Sequence, residues 1–319
     1  MDHSRAMPRR MEMHWKLRSR ELKLGEHTLV MGVVNITPDS FSDGGLHMEP
    51  AQAIEHALRL LDEGADLLDL GAESTRPGSH AGDPKAAAVS AEEEQARLLP
   101  VLEGLLRARP DAIVSIDTYK AASARVALAA GAEIINDVSG LNWDSEMAGV
   151  CAEAGCGVVL MHTRGRPDEW REQPRLAPEA VMSMVREGLS SSLETSLAVG
   201  IRPESVVLDP GYGFGKRLEE NYALLARQAE LLSFGRPLLA GLSRKSFLAR
   251  TLEKATNRYI DEDSRDTASV AALTAAILHG ASIVRVHRVR AAVEAAAIAD
   301  AALRAVYTGN AIAEDEKSP

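Results

Sequence analysis

Short apolar runs recur along the chain, and each closes on polar residues or a turn: TLVMGVVN, DLLDLGA, AIVSIDT, EIINDVS, GVVLMHT, SVVLDPG, PLLAGLS and SIVRVHR. A run of this length bounded by turn signals reads as a strand buried on both faces. Between consecutive runs lie helix-periodic stretches such as PAQAIEHALRLLDEG and AEEEQARLLPVLEGLL, or the Ala-rich DTASVAALTAAILHGA. Gly64, Gly131, Gly155, Gly200 and Gly280 stand just before the next run, where a helix needs a stop. Strand and helix alternating in this way predict an α/β fold, a (β/α)8 TIM barrel, as a single domain. Ahead of it, WKLRSRELKLGEHT alternates apolar and polar residues about Ser19 and Arg20, which predicts a short N-terminal β-hairpin. Residues 1–14 read as a disordered lead, 15–308 as the barrel, and 309–319, polar and acidic after Gly309, as a flexible C-terminal tail.

A length of 319 residues suits one large barrel. Lys and Arg number 36 against 46 Asp and Glu, a net charge of −10, so neither nucleic acid nor an anionic membrane surface is an expected partner. An anionic ligand then has to be held by a local basic cluster. The apolar runs fall well short of a membrane span, and Arg9 and Arg10 are not followed by an apolar leader segment, so no secretory or twin-arginine signal is expected. The two cysteines, Cys151 and Cys156, make no disulfide framework, which points to a reducing, cytoplasmic setting.

A barrel gathers its reactive groups at the C-terminal ends of its strands. Here strand one ends at Asn35; two at Glu73, Ser74, Thr75 and Arg76; three at Asp117; four at Asn136 and Asp137. Five ends at Met161 and His162; six at Asp209; seven at Ser243, Arg244, Lys245 and Ser246; eight at Arg285 and His287. Any barrel places some polar residues there. The residue types are what stand out: inward-facing Asp, Asn and Asp from strands three, four and six beside a Lys and an Arg. Desolvating them is costly unless a ligand pairs them. A flat ring edge with adjacent N–H donors, such as a 2-aminopyrimidinone, suits paired carboxylate acceptors, and an Arg can stack on its face. Asn35, Thr75, Arg76, Arg285 and His287 could hold a phosphate together with a divalent cation.

The pieces NITPDSFSDGG, ESTRPGS, SIDT, INDVSG, LMH, LDPGYGFGK, SRKSF and RVH follow one another in register with the strand ends. In that order and spacing the chain resembles the dihydropteroate synthases of folate biosynthesis, from about Trp15 to about Tyr307. The resemblance implies a transferase that condenses 6-hydroxymethyl-7,8-dihydropterin diphosphate with 4-aminobenzoate to give 7,8-dihydropteroate and diphosphate. It implies that Asp117, Asn136, Asp209 and Lys245 bind the pterin, with Arg285 against its face and Met161 lining the pocket. Asn35, through Mg2+, would bind the diphosphate with Arg285 and His287. Thr75, Arg76, Pro77, Phe214 and Ser246 would complete the aminobenzoate site, and Asp39 would help the first loop close. Asn35, Asp39, Lys245, Arg285 and His287 are thereby the catalytic set. A homodimer is also implied; the Ala-rich last two helices would suit one, and suit a monomer equally.

The chemistry agrees with this inventory. Diphosphate leaves a carbon whose positive charge can spread into the dihydropterin, so charge stabilisation and positioning are the protein's main tasks. A neutral arylamine attacks without a strong base, and His162 is therefore read as a satisfied strand-end histidine. GYGFGK lacks the spacing of a phosphate loop. Lys245 is not read as a Schiff-base lysine, and the cysteine pair is read as core. SHAGDPKAAAV after ESTRPG is longer than is usual in the family, Arg288 stands where an acid is frequent, and Thr163 and Arg164 stand after LMH where a Met or Gln is common. Two other readings stay in play: a pterin-dependent methyltransferase barrel, which would share Asp117, Asn136 and Asp209 but not need SRKSF, and a silent pterin-binding paralogue, which could lose Asn35, Arg285 or His287.

Overall fold

The computed structural model describes residues 11–36, 50–75, 79, 81–82 and 89–315, with side chains as far as 305. An antiparallel hairpin, β1 (Met13–Lys16) and β2 (Glu21–Leu24), comes first. Eight parallel strands follow: β3 (Leu29–Asn35), β4 (Leu67–Gly71), β5 (Val114–Asp117), β6 (Ile134–Asp137), β7 (Gly157–Met161), β8 (Val206–Asp209), β9 (Leu239–Ala240) and β10 (Ile283–Val286). They pair in the order β8-β7-β6-β5-β4-β3-β10-β9. A parallel bridge between Leu208 and Leu238 closes the barrel, with the Leu208 N–H donating to the Pro237 carbonyl at 3.0 Å.

The helices of the wall are α1 (Pro50–Asp62), α2 (Ala91–Ala108), α3 (Ala121–Ala129), α4 (Met147–Ala154), α5 (Pro178–Ala198), α6 (Leu218–Arg227), α7 (Ser246–Thr256), α8 (Glu262–Leu278) and α9 (Val289–Asp315). The eight apolar runs are the eight barrel strands, and the five glycines read as helix stops all have φ between +61° and +115°. The seventh unit departs from strict alternation. Both α7 and α8 follow β9, separated at Asn257, which takes a left-handed φ of +50°.

Side-chain alternation along each strand explains why both faces are apolar and where the polar groups go. Leu68, Leu70, Ile116, Ile135, Leu160 and Val284 face the helices. Leu67, Ile134, Val159, Val207 and Ile283 face inward and meet Trp15, Leu17 and Leu24 of the hairpin. The hairpin thus plugs the N-terminal mouth. Trp15 is fully buried and its indole N–H donates to the Ser205 carbonyl at 2.9 Å. Glycine at the start of β7 makes room for this plug, because a Cβ on Gly157 would come within 2.7 Å of Leu17 Cδ2 and push it aside. Two residues beyond this inward apolar layer stand Asp69, Asn136, Met161, Asp209 and Arg285, one layer nearer the C-terminal rim.

Two boundaries differ from the sequence reading. Met13 and His14, assigned to the lead, pair with Leu24 and Lys23, because a hairpin needs its outer partners to satisfy the β2 backbone. Helix α9 runs to Asp315, through positions assigned to the tail; Gly309 does not stop it, and the AIAED that follows is mostly good helix former. Residues 1–10 and 316–319 lie outside the described residues. Among the described residues no helix is long and apolar enough to cross a membrane.

Candidate active site

Strand register brings four side chains to one point on the rim. Arg285, from β10, donates through Nε to Asp69 Oδ2 at 2.6 Å and through Nη2 to Asp117 Oδ2 at 2.7 Å. Asn136, from β6, donates through Nδ2 to the same Asp69 oxygen at 2.9 Å. Burial alone would lower the guanidinium's pKa, but the Asp69 and Asp117 carboxylates outweigh it and hold Arg285 above its ordinary value. Burial pushes Asp117 up to about 7, with Arg285 pulling against it and Asp69 adding to it.

The sixth and seventh loops build the neighbouring wall. Asp209 ends β8, and its Oδ1 accepts from the Gly211 N–H at 2.7 Å. Burial raises this carboxyl to about 6 despite that bond and the nearby Lys245 and Lys216. Lys245 caps the start of α7, and burial lowers its ammonium to about 8. Its Nζ lies 4.0 Å from the centroid of the Phe214 ring, which in turn meets Trp170 edge-on at 5.3 Å. Met161 packs in an apolar cluster with Tyr119 and Val138, against which Phe214 also lies.

The GYGFGK turn is held from beneath by Lys216. This buried side chain donates to the carbonyls of Gly211 at 2.7 Å, His162 at 3.2 Å and Phe214 at 3.3 Å. Burial lowers its ammonium to about 7. Only glycine fits at 211: φ is +68° and a Cβ would lie 1.9 Å from the His162 carbonyl oxygen. His162 is packed against Gly188 of α5, and burial drives its pKa well below the ordinary imidazole value, so it is neutral. Among the described residues its buried Nδ1 has no hydrogen-bond partner, unlike the satisfied histidine the sequence suggested.

Several rim residues stand apart from this network. Asn35, the last residue of β3, and Thr75 are half-buried, and Ser246 is exposed at the start of α7. His287 follows β10, with Nδ1 2.9 Å from Ser243 Oγ and its backbone N–H donating to that hydroxyl at 3.2 Å. Glu73 turns to Lys120 at 2.5 Å, and both Asp137 oxygens accept backbone N–H groups of Ser139 and Leu141, so neither faces the cluster. Arg244, at a φ of +57°, pairs with Asp266 and Glu262 of α8 instead of pointing at the pocket. The added charge of Arg288 is shared with the same Asp266, 3.6 Å away. Asp39, Arg76 and Pro77 lie outside the described residues.

Sequence reasoning missed Asp69 and Lys216. The signal for Asp69 was present: it sits two residues before Gly71 in DLLDLG, in phase with inward-facing Leu67, but a single acid inside an apolar run reads as strand interior. Among the described residues no group of three or more His, Cys, Asp or Glu side chains is placed to hold a metal ion. The Asn35 amide is a hard oxygen donor at the rim, of the kind Mg2+ accepts when phosphate and water supply its other ligands. Chemically, the pocket pairs carboxylate and amide acceptors with two cations over an apolar floor. That set can grip a flat, donor-rich ring and a leaving anion.

A family model of pterin binding enzymes matches residues 31–287. The chain is 44% identical over 282 residues to the dihydropteroate synthase of Mycobacterium leprae, a match covering 86% of this chain and 94% of that one. A crystal structure of Yersinia pestis dihydropteroate synthase in a sulfonamide drug complex superposes with a TM-score of 0.81 at 41% identity, over 91% of this chain and 99% of that one. Xanthomonas albilineans dihydropteroate synthase with 4-aminobenzoic acid gives a TM-score of 0.77 at 38% identity, over 97% and 100%.

Proposed function

The chain belongs to the dihydropteroate synthases, and from that premise we propose how its barrel rim carries out their reaction. The enzyme is a transferase of folate biosynthesis: it condenses 6-hydroxymethyl-7,8-dihydropterin diphosphate with 4-aminobenzoate to 7,8-dihydropteroate and diphosphate. Asp117, Asn136 and Asp209 accept from the N–H groups of the pterin edge, Lys245 donates to an acceptor on it, and Met161 lines its pocket. Arg285 lies against the ring face. The observation that carries this reading is the Arg285 guanidinium bonded at once to Asp69 and Asp117, with Asn136 on the same Asp69 oxygen. Acceptors and a fixed cation from four separate strands meet at the point where a donor-rich ring needs them.

The carbon–oxygen bond to diphosphate breaks with its electron pair going to the leaving group, and Arg285 and His287 take up the growing negative charge. The neutral amine of 4-aminobenzoate, seated against Thr75, Arg76, Pro77, Phe214 and Ser246, forms the new carbon–nitrogen bond and then sheds a proton to water. Asp39, which follows Asn35 in sequence, is assigned to the diphosphate end of the site. Mg2+, held by Asn35 together with the diphosphate oxygens, supplies further neutralisation of the leaving group when bound. Neutral His162, buried and packed against Gly188 of α5, takes no part in proton transfer. The 4-aminobenzoic acid in the Xanthomonas neighbour supports the second substrate.

The enzyme works in the cytoplasm as a homodimer. Its two cysteines are free and buried, in keeping with a reducing compartment, and the Ala-rich α9 carries Ile298 at 73% exposure, an apolar side chain a second copy would cover. A coupled assay of diphosphate release tests the function directly. Release that requires 4-aminobenzoate is expected; no release with both substrates and Mg2+ present would overturn the reading.

A further inference from the structure

We propose that Asp69 is a positioning residue of the reaction: it keeps Arg285 and Asn136 lodged on the pocket floor, so that Arg285 stays in place when the substrate ring takes Asp117 away from it. The proposal rests on the pterin pocket described above and extends it to a residue that touches neither substrate.

Three observations carry it. Asp69 is fully buried on the inner face of β4, and one oxygen, Oδ2, serves both Arg285 Nε and Asn136 Nδ2. It thereby ties the cation of the eighth strand to the amide of the fourth. Second, the two edges of the guanidinium are divided between two acids: Nε belongs to Asp69 and Nη2 to Asp117. A ring edge that donates to Asp117 competes only for the Nη2 side. Arg285 can then turn Nη2 toward the departing anion while Nε remains anchored. Third, among the described residues Asp69 Oδ1 is buried with no hydrogen-bond partner. The hydrogen bonds of this carboxylate in the described residues are thus those to the two donors it positions.

The charges around this pair come from several elements. Asp117 is bonded to Arg285 and feels the like charges of Asp69, of Glu94 from α2 and of Asp137 from β6, and Arg285 also feels Asp209. Removing the Asp69 charge relieves Asp117 of a like neighbour, so Asp117 takes up its proton at lower pH.

Asp69→Asn tests this, because the amide has the same shape and can still accept from both donors while the charge is lost. The expected result is a kcat at least about tenfold lower with the KM for 4-aminobenzoate within about twofold, and an acid limb of kcat/KM moved to lower pH. A wild-type kcat with a coincident acid limb would overturn the proposal, as would a loss of kcat matched by the loss of folded protein in a thermal melt. A second readout uses the unmodified enzyme: the Arg285 Nε–H signal in nitrogen-15 NMR, assigned with Arg285→Lys. It should stay protected from solvent exchange when pteroic acid is added, and fast exchange would overturn the proposal whether or not the variant folds. Because this readout needs no turnover, an enzyme that released no diphosphate would sink the proposed function while the Arg285 signal still decided the role of Asp69.

Discussion

Arg285 Nη2 donates to Asp117 Oδ2 at 2.7 Å, so the acid assigned to the pterin is already bonded to the cation assigned to the leaving group. A ring that donates to Asp117 shares or takes over the carboxylate that holds Arg285. Binding and charge placement at the leaving group are therefore linked through a single carboxylate.

The same carboxylate makes binding depend on pH. Asp117 is raised to about 7 and Asp209 to about 6, both by burial, so below those values each carries a proton in the free enzyme. A ring that needs both ionised must expel those protons. Affinity is then complete above about pH 7 and falls as pH drops through about 7 and about 6. Calorimetry with pteroic acid should show binding at least about tenfold weaker at about pH 5.5 than at about pH 8, with proton release revealed by buffers of different ionisation heat. A flat profile would mean that neither acid accepts from the ring.

Lys216 is the next point of leverage, since three backbone carbonyls of the sixth-loop region depend on it. Lys216→Met removes the ammonium from all three: the Gly211 and Phe214 carbonyls keep backbone donors in Phe214 and Arg164, and the His162 carbonyl loses the donor the structure gives it, at a cost of roughly 1–3 kcal/mol where water cannot reach. Urea unfolding should show a loss of about 2 kcal/mol or more, and the KM for 4-aminobenzoate should rise because Phe214 sits on the loosened turn. Unchanged stability would show that the loop holds itself.

At the opposite mouth, the hairpin closes the barrel with Trp15. Trp15→Ala removes a fully buried indole and its bond to Ser205, and should cost about 3–5 kcal/mol in urea unfolding. The site lies at the other end of the strands, so kcat per folded molecule should hold. A large loss of kcat in folded protein would show that the two ends are coupled.

The fold was legible because every stave is buried on both faces and so reads as an uninterrupted apolar run, with a positive-φ glycine closing the helix before it at five junctions. Helix α7 escaped because LARTLEKATNRYIDEDS reads as one polar stretch, and the break at Asn257 depends on a backbone angle that no hydrophobic pattern encodes. Strand-end polar residues named most of the pocket. Asn136 and Arg285 meet on Asp69 and Asp117 joins them through Arg285, while Asp209, Lys245 and Phe214 share the adjoining wall. Asp69 itself was hidden among Leu67, Leu68 and Leu70, because its meaning lies in the register of β4 against β5 and, through β3, against β10, a relation between strands and not within one. Arg244 shows the converse: adjacent to Lys245 in sequence, it is turned to α8 by a left-handed backbone.

If acids and a cation from distant strands grip one ring, Asp209→Asn weakens that grip with the least disturbance. The amide can keep the Gly211 bond while losing the charge that strengthens hydrogen bonds to the pterin, each worth roughly 1.5–3 kcal/mol. Titrating wild type and variant with pteroic acid at about pH 8 should show affinity at least about tenfold lower in the variant, with the melting temperature preserved. Equal affinity would place the ring elsewhere and contradict the account.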